Sequence, residues 1–368
     1  MAEKVEGEME KKVERDVAKT TEAFNKWFAE KMPERQELHV ENLEAPQATG
    51  FSSETIMFDL VWTEDGAKQV ERAVARIKPS GDFQVFPLYD IKLQYEIMRI
   101  LGEKTDVPVP PMLGYEPDES VIGDEFYCMD FVNGIVPTDQ PPYHTAGWVP
   151  ERSLEERERL WNNGLDAMCQ VHNLDYKALG IDFLPRGKDG DSHMETHLKY
   201  WDHFFEWGME GREHPICRRA QKWLWDNRPP DEEDERIIWG DSRLANQIFS
   251  EDLECLAVID WEMARIGSPV EDLGYWIGMD RVFSEGLGVE RLEGLPDRDA
   301  TIARWKEKTG LEPKYLQYYE VWCLYRFSLL MGRIGIGMHI KGILPEESDF
   351  EINNFASGLL DKMLKEEL

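Results

Sequence analysis

Ile237-Ile238-Trp239-Gly240-Asp241-Ser242-Arg243-Leu244-Ala245-Asn246-Gln247-Ile248-Phe249, followed after a short connection by Leu256-Ala257-Val258-Ile259-Asp260-Trp261-Glu262, is the most informative stretch of the chain. Each half sets an acid or an amide beside a short apolar strand. Asp241 follows Ile237-Ile238, Asn246 precedes Ile248-Phe249, and Asp260 ends the run Leu256 to Ile259. Hairpin pairing of the strands before Asp241 and before Asp260 would bring the three polar side chains together.

Phosphoryl transfer asks for such a set. Its transition state is loose, so the protein mainly positions groups and neutralises charge. Asp241 is suited to orient an attacking hydroxyl and accept its proton. Asn246 and Asp260 offer the hard oxygens that Mg²⁺ prefers. A lone Asp beside a strand is ordinarily a cap or turn residue; three in this order point to chemistry.

The motif G-D-x-x-x-x-N followed by I-D-W-E resembles that of the aminoglycoside phosphotransferase family. It is similar in particular to the branch that includes kinase domains attached to some acyl-CoA dehydrogenases. The resemblance runs over about residues 20–360, with the catalytic motif as its specific part. It implies an α+β, protein-kinase-like fold of two lobes. The first lobe is an antiparallel sheet plus helix over residues 1–132; the second is larger, mainly helical, over residues 133–368. The family's usual histidine before Gly-Asp is replaced here by Trp239.

The same resemblance assigns roles elsewhere. Gly50 to Thr55 falls at the phosphate-covering loop, where Ser52 and Ser53 would donate to ATP phosphates. By itself a Gly-Phe-Ser-Ser run is an ordinary hairpin turn. Ala73-Val74-Ala75-Arg76 falls where kinases carry V-A-I-K. Arg76 would hold the α- and β-phosphates, with Lys78 as the second candidate, and Glu96 on the next helix would pair with it. Met129 to Val132 is the expected hinge, with the backbone around Asp130 and Val132 facing adenine. Arg243 would assist the γ-phosphate or pair with a neighbouring carboxylate. Glu262 would reach the metal shell through water or stay on the surface. Pro269 to Gly274 matches the family's P-x-x-D-L-A/G pattern, with Asp272 holding the amides of the catalytic loop. Trp276, Met279, Trp322 and Tyr325 read as core, or as the wall of an acceptor pocket.

The rest of the chain fits this plan. Thr21 is a candidate cap for a helix through Met32, with Phe24, Trp27 and Phe28 on one face. Leu38 to Leu43, Ile56 to Trp62 and Ala73 to Ile77 read as strands, with Asp65-Gly66 as a turn. A helix is expected from Ile91 to Leu101, and a long amphipathic one begins at Ser153.

Composition narrows the partners. Lys and Arg total 42 against 73 Asp and Glu, a formal net charge of −31, which repels nucleic acid and anionic membranes. Five scattered cysteines form no C-x-x-C pair and fit a reducing compartment. The charged first fifteen residues lack the apolar core of a signal peptide, and no apolar run is long enough to span a bilayer. A cytoplasmic enzyme is therefore expected, using ATP and Mg²⁺ to phosphorylate a hydroxyl on a small molecule. Two acceptor classes are open: a metabolite such as a hydroxyacyl-CoA-like compound, or an aminoglycoside. The rival readings are a silent nucleotide-binding module, which Trp239 favours, and a Mg²⁺-dependent hydrolase, which lacks a nucleophile motif.

Overall fold

The alternation of buried side chains along residues 54–64 builds the first sheet. Ile56, Phe58 and Leu60 are fully buried and Trp62 nearly so, while Met57 and Asp59 between them are partly exposed. That period of two is the signature of a strand with one face on a core. The structure is a computed structural model and describes residues 15–44, 54–81, 83–188, 190–230, 234–366 and 368. Ser52 and Ser53 lie outside the described residues.

The chain divides into two compact units, residues 1–84 with 113–131, and residues 85–112 with 132–368. Residues 85–112, placed in the first lobe by the sequence, therefore group with the second unit. In the first unit, helix α1 (Val17–Lys31) precedes β1 (Gln36–Glu44), β2 (Glu54–Glu64) and β3 (Ala67–Ile77). Asp16, not Thr21, caps α1: its carboxylate accepts from the Lys19 amide at 3.1 Å. The Thr21 hydroxyl donates back to the Val17 carbonyl instead. An aspartate is at least as good a cap as threonine, and starting there adds a turn to the helix.

Asp65 and Gly66 both take positive φ (50° and 77°), the geometry of a tight two-residue hairpin. It sets an unbroken antiparallel register from Glu64 opposite Ala67 to Glu54 opposite Ile77. The sheet order is β1-β2-β3-β5-β4, with β4 at Met112–Glu116 and β5 at Phe126–Asp130. Phe24, Trp27 and Phe28 of α1 close its buried face against Phe58 and Phe126.

The second unit begins with α2 (Ile91–Lys104), capped by Asp90. It continues through α3 (Leu154–His172), α4 (Tyr176–Leu179), α5 (His193–Met209) and α6 (Pro215–Asp226). A reciprocal Ser153–Glu156 capping box starts α3. Four short strands follow: β6 (Arg236–Ile238), β7 (Gln247–Phe249), β8 (Cys255–Val258) and β9 (Arg265–Gly267). Then come α7 (Val270–Arg281), α8 (Arg298–Thr309), α9 (Leu316–Ile340) and α10 (Phe355–Glu366). Helices α7 and α9 approach closely because Gly274 carries no side chain. A Cβ there would lie 2.8 Å from the Tyr319 backbone.

Candidate active site

The strands around the motif pair differently from expectation. β6 pairs with β9, Ile237 opposite Ile266, and β7 pairs with β8, Gln247 opposite Val258. The loop 239–246 therefore joins two separate ladders instead of closing one hairpin. Three-residue strands contain too few side chains to specify a register.

Backbone geometry at both ends of the motif is tightly constrained. Gly240 has φ of 94°, and a Cβ at that position would collide with the Met263 carbonyl. Asp260 also lies in the left-handed region, at φ 64°, which Asp tolerates better than most residues. Between them stands Trp239, fully buried. Its indole N–H is shared by the carbonyls of Ile259 (2.9 Å) and Asp260 (3.2 Å). Trp239 thus ties the loop bearing Asp241 to the turn bearing Asp260.

Asp272 holds the loop from below. Its carboxylate accepts the amides of Trp239 (2.7 Å) and Gly240 (2.9 Å), and its carbonyl accepts the Ser242 hydroxyl (2.8 Å). His172 completes this arrangement. Its Nδ1 accepts the Trp305 indole N–H at 3.1 Å, so the imidazole proton sits on Nε2 and is donated to Asp272 at 3.0 Å. The expected role of Asp272 is matched by these bonds; His172 and Trp305 were not foreseen. Arg326, equally unforeseen and buried, donates to the Gly240 carbonyl at 3.0 Å and to Glu271 at 2.8 Å. Glu271 also pairs with buried Arg265, whose guanidinium is pulled down to about 9 by burial and by the neighbouring Arg326.

The functional side chains meet within the loop. Asn246 donates its amide nitrogen to the Asp241 carboxylate at 2.6 Å and to the Asp241 carbonyl at 3.0 Å. Arg243 grips the same carboxylate with two bonds, Nε to Oδ1 and Nη2 to Oδ2, both 3.1 Å. Its remaining nitrogen, Nη1, bonds Asp139. Arg243 therefore pairs with carboxylates, as one of its two expected readings had it.

Asn246 and Asp260 are the residues expected to hold a divalent cation. The Asn246 amide nitrogen faces Asp241, so the amide oxygen is the end available to a cation. The Ile259 amide donates to the Asn246 carbonyl at 3.0 Å, and Asp260 follows, two residues past the end of β8. Among the described residues, no three His, Cys, Asp or Glu side chains are grouped to hold a metal. An ion here would rest on one carboxylate, one amide, water and phosphate oxygens, the sparse protein coordination typical of Mg²⁺.

The other candidates have partners of their own. In the first unit, Arg76 is opposite Thr55 and donates to its hydroxyl at 3.3 Å. The Lys78 ammonium lies 3.5 Å from Glu125. Asp130 ends β5 opposite Ala73, and burial beside Glu71 raises its carboxyl above the ordinary range. In the second unit, Val132 is its first residue after β5. Glu96 on α2 takes Arg99, three residues on, at 2.7 Å. Trp276, Met279, Trp322 and Tyr325 are all buried: Trp276 packs edge-on against Trp161 at 5.2 Å, and Trp322 stacks on Tyr325 at 5.9 Å. All four pack in the interior.

Known proteins agree with this architecture. The acyl-CoA dehydrogenase family member 11 of Gallus gallus is 32% identical over 204 residues, 55% of this chain and 24% of that protein. Member 10 of Mus musculus is 30% identical over 252 residues, 68% of this chain and 21% of that protein. The match thus spans a quarter or less of either relative. A crystal structure from Ralstonia eutropha JMP134 that carries the name aminoglycoside phosphotransferase superposes with a TM-score of 0.67 at 26% identity, covering 94% of this chain and 95% of that one. The aminoglycoside phosphotransferase APH(4)-Ia, solved with AMP-PNP and hygromycin B, shares the fold at 15% identity and a TM-score of 0.55, covering 93% and 98%. The profile of the Phosphotransferase enzyme family matches residues 53–307. The chain belongs to that family, and its fold is the protein-kinase-like α+β fold that the motif implied.

Proposed function

We propose that this protein transfers the γ-phosphate of ATP to a hydroxyl group of a small molecule, with Mg²⁺ as the metal. One observation carries the reading: the Asp241 carboxylate is fixed by Asn246 and Arg243, on a loop tied through Trp239 to Asp260.

A carboxylate offers about four lone-pair directions. Oδ2 of Asp241 accepts from both Asn246 and Arg243, whereas Oδ1 accepts only from Arg243 among the described residues. Oδ1 therefore has the open direction and is the atom to receive the acceptor's proton. Asn246 and Asp260 would hold Mg²⁺, which when bound neutralises charge on the phosphate oxygens. Asp272, His172 and Arg326 keep the loop backbone in place, so little reorganisation is needed as the reaction proceeds. Arg76, and Ser52 and Ser53, would contact the phosphates, and the backbone at Asp130 and Val132 the adenine. Glu96 would keep the supporting role that the resemblance gives it. Among acceptors we favour a metabolite hydroxyl, such as that of a hydroxyacyl-CoA-like compound, over an aminoglycoside. Relatives at 32% and 30% identity carry acyl-CoA dehydrogenase names, which supports this choice.

The test is a screen of hydroxylated metabolites with ATP and Mg²⁺, read as the mass gain of one phosphoryl group. The parent should phosphorylate at least one compound, and Asp241→Ala should lose the rate by about a thousandfold, the scale of a lost general base with its positioning. Equal turnover by parent and variant, with ATP still bound, would leave a silent nucleotide-binding module.

A further inference from the structure

The Asp241 carboxylate is held entirely from within its own loop. Its partners among the described residues are Arg243 and Asn246, two and five residues away in sequence. Bonds between neighbours in one short loop fix them relative to each other, not relative to the rest of the protein. The backbone is anchored by Asp272 and Arg326, but neither touches the carboxylate. Among the described residues, the side-chain network has one hydrogen-bonded tie from outside: Arg243 Nη1 bonds Asp139, 104 residues earlier in the chain.

Asp139 is itself held independently of the loop. It sits in the segment between Pro137 and Pro150. The Tyr143 amide donates to the Thr138 carbonyl at 2.8 Å, which closes the turn around Asp139. The Tyr143 hydroxyl donates to Asp280 of α7 at 2.9 Å. His144 accepts the Leu292 amide on Nδ1, which leaves its Nε2 proton directed at the same Asp280 at 3.4 Å. Arg291 binds the other Asp280 oxygen at 2.6 Å. The segment carrying Asp139 is therefore pinned to the helical body of the second unit. Its carboxylate and the Arg243 guanidinium are mostly buried, with side chains 17% and 22% exposed. Burial pushes the Asp139 carboxyl above its ordinary range while Arg243 works against that shift. A buried carboxylate of this kind is held only where its cation supports it.

We infer that Asp139 is a positioning residue for phosphoryl transfer, acting through Arg243 to hold the Asp241 carboxylate in the orientation that receives the acceptor's proton. It touches no reacting atom. Its role is to give the Asp241–Arg243 pair a fixed reference outside the loop. The inference rests on the functional reading above for its kinetic consequence, but the three-residue coupling is a property of the fold alone.

Two measurements separate these levels. The first follows the side-chain ¹⁵N–¹H resonances of Arg243 in the full chain. Asp139→Asn, which keeps the shape and removes the charge, should shift them and speed their solvent exchange. Unchanged resonances would overturn the coupling whatever the enzyme does. The second measures ADP release from Mg²⁺-ATP, with water as the acceptor. Asp139→Asn should lower kcat about tenfold while the KM for ATP stays within about twofold, the pattern of a lost transition-state interaction. Asp139→Ala combined with Arg243→Ala should be no slower than Arg243→Ala alone, because the two act in series. An additive loss in the double variant would overturn the inference. Shifted resonances with no phosphorylated product in the acceptor screen would uphold the coupling and refute the functional reading.

Discussion

At Trp239 one indole N–H, on a fully buried ring, serves the carbonyls of two half-buried residues. That bond, more than the ring's bulk, makes the residue a substitute for the histidine usual at this position. Both rings offer an N–H donor, and the larger one also fills volume against Trp261, whose ring centre is 6.2 Å away. The two contributions can be separated. Trp239→Phe keeps most of the volume and deletes the donor shared by the half-buried Ile259 and Asp260. It should lower stability by about 1 kcal/mol in a denaturant titration, the worth of an ordinary hydrogen bond. Trp239→His restores a donor at the expense of packing. Turnover should rank parent, then His, then Phe. If the Phe variant matches or exceeds the His variant, the brace works by volume and the hydrogen bond is incidental.

At the scale of elements, the first turn of α7 governs the site. Asp272 gathers the Trp239 and Gly240 amides and the His172 ring N–H, three donors on one carboxylate. Asp272→Asn would turn an amide N–H₂ toward a donor and remove the charge that all three face. The expected loss is about 3 kcal/mol or more in unfolding free energy, with the helices retained by circular dichroism. A loss below about 1 kcal/mol, the worth of an ordinary hydrogen bond, would show that the loop is held by other means. This anchor was legible because Pro269 to Gly274 resembles the family's P-x-x-D-L-A/G pattern. The strands β1 to β3 were legible from the apolar residues of Leu38 to Leu43, Ile56 to Trp62 and Ala73 to Ile77 and from the turn signal at Asp65-Gly66. The ladder partner of β6 was not. β9 is Arg265-Ile266-Gly267, a stretch with one apolar side chain and a glycine, and its arginine is buried only because Glu271 pairs with it. Nothing local marks it as a strand. Asp139, His172 and Arg326 were hidden for a related reason. Each acts on the loop from 86 to 104 residues away, or on Asp272 from 100, and one sequence contains no trace of such pairings.

Across the whole molecule, acid acts in two opposite senses. The formal net charge is −31, so added protons relieve self-repulsion and favour the compact state. Buried histidines oppose this. His214 caps α6 by accepting the Cys217 amide, and burial pulls its pKa from 6.5 down to about 4. His197 accepts the Trp201 indole N–H at 3.0 Å; burial, with Arg265 and Arg326 close by, holds it well below its ordinary value. A histidine of this kind takes its proton first in the unfolded chain. Above pH 6.5 neither state is protonated and the group has no effect. As pH falls below 6.5 the unfolded state alone gains the proton, and stability is lost until pH reaches the native value. The slope is about 1.4 kcal/mol per pH unit for each such group. Carboxylate titration overlaps the lower part of this window and would mask the slope in the parent alone. His214→Asn removes the masking: asparagine keeps an oxygen for the Cys217 amide and cannot titrate. The difference in unfolding free energy, variant minus parent, should be constant above pH 7. It should then climb in the variant's favour between pH 6.5 and about 4, the window set by the shift at His214. The carboxylates, common to both proteins, cancel from that difference. A difference that stays flat through the window would mean that His214 is protonated in the folded protein and its burial is not what controls the acid response.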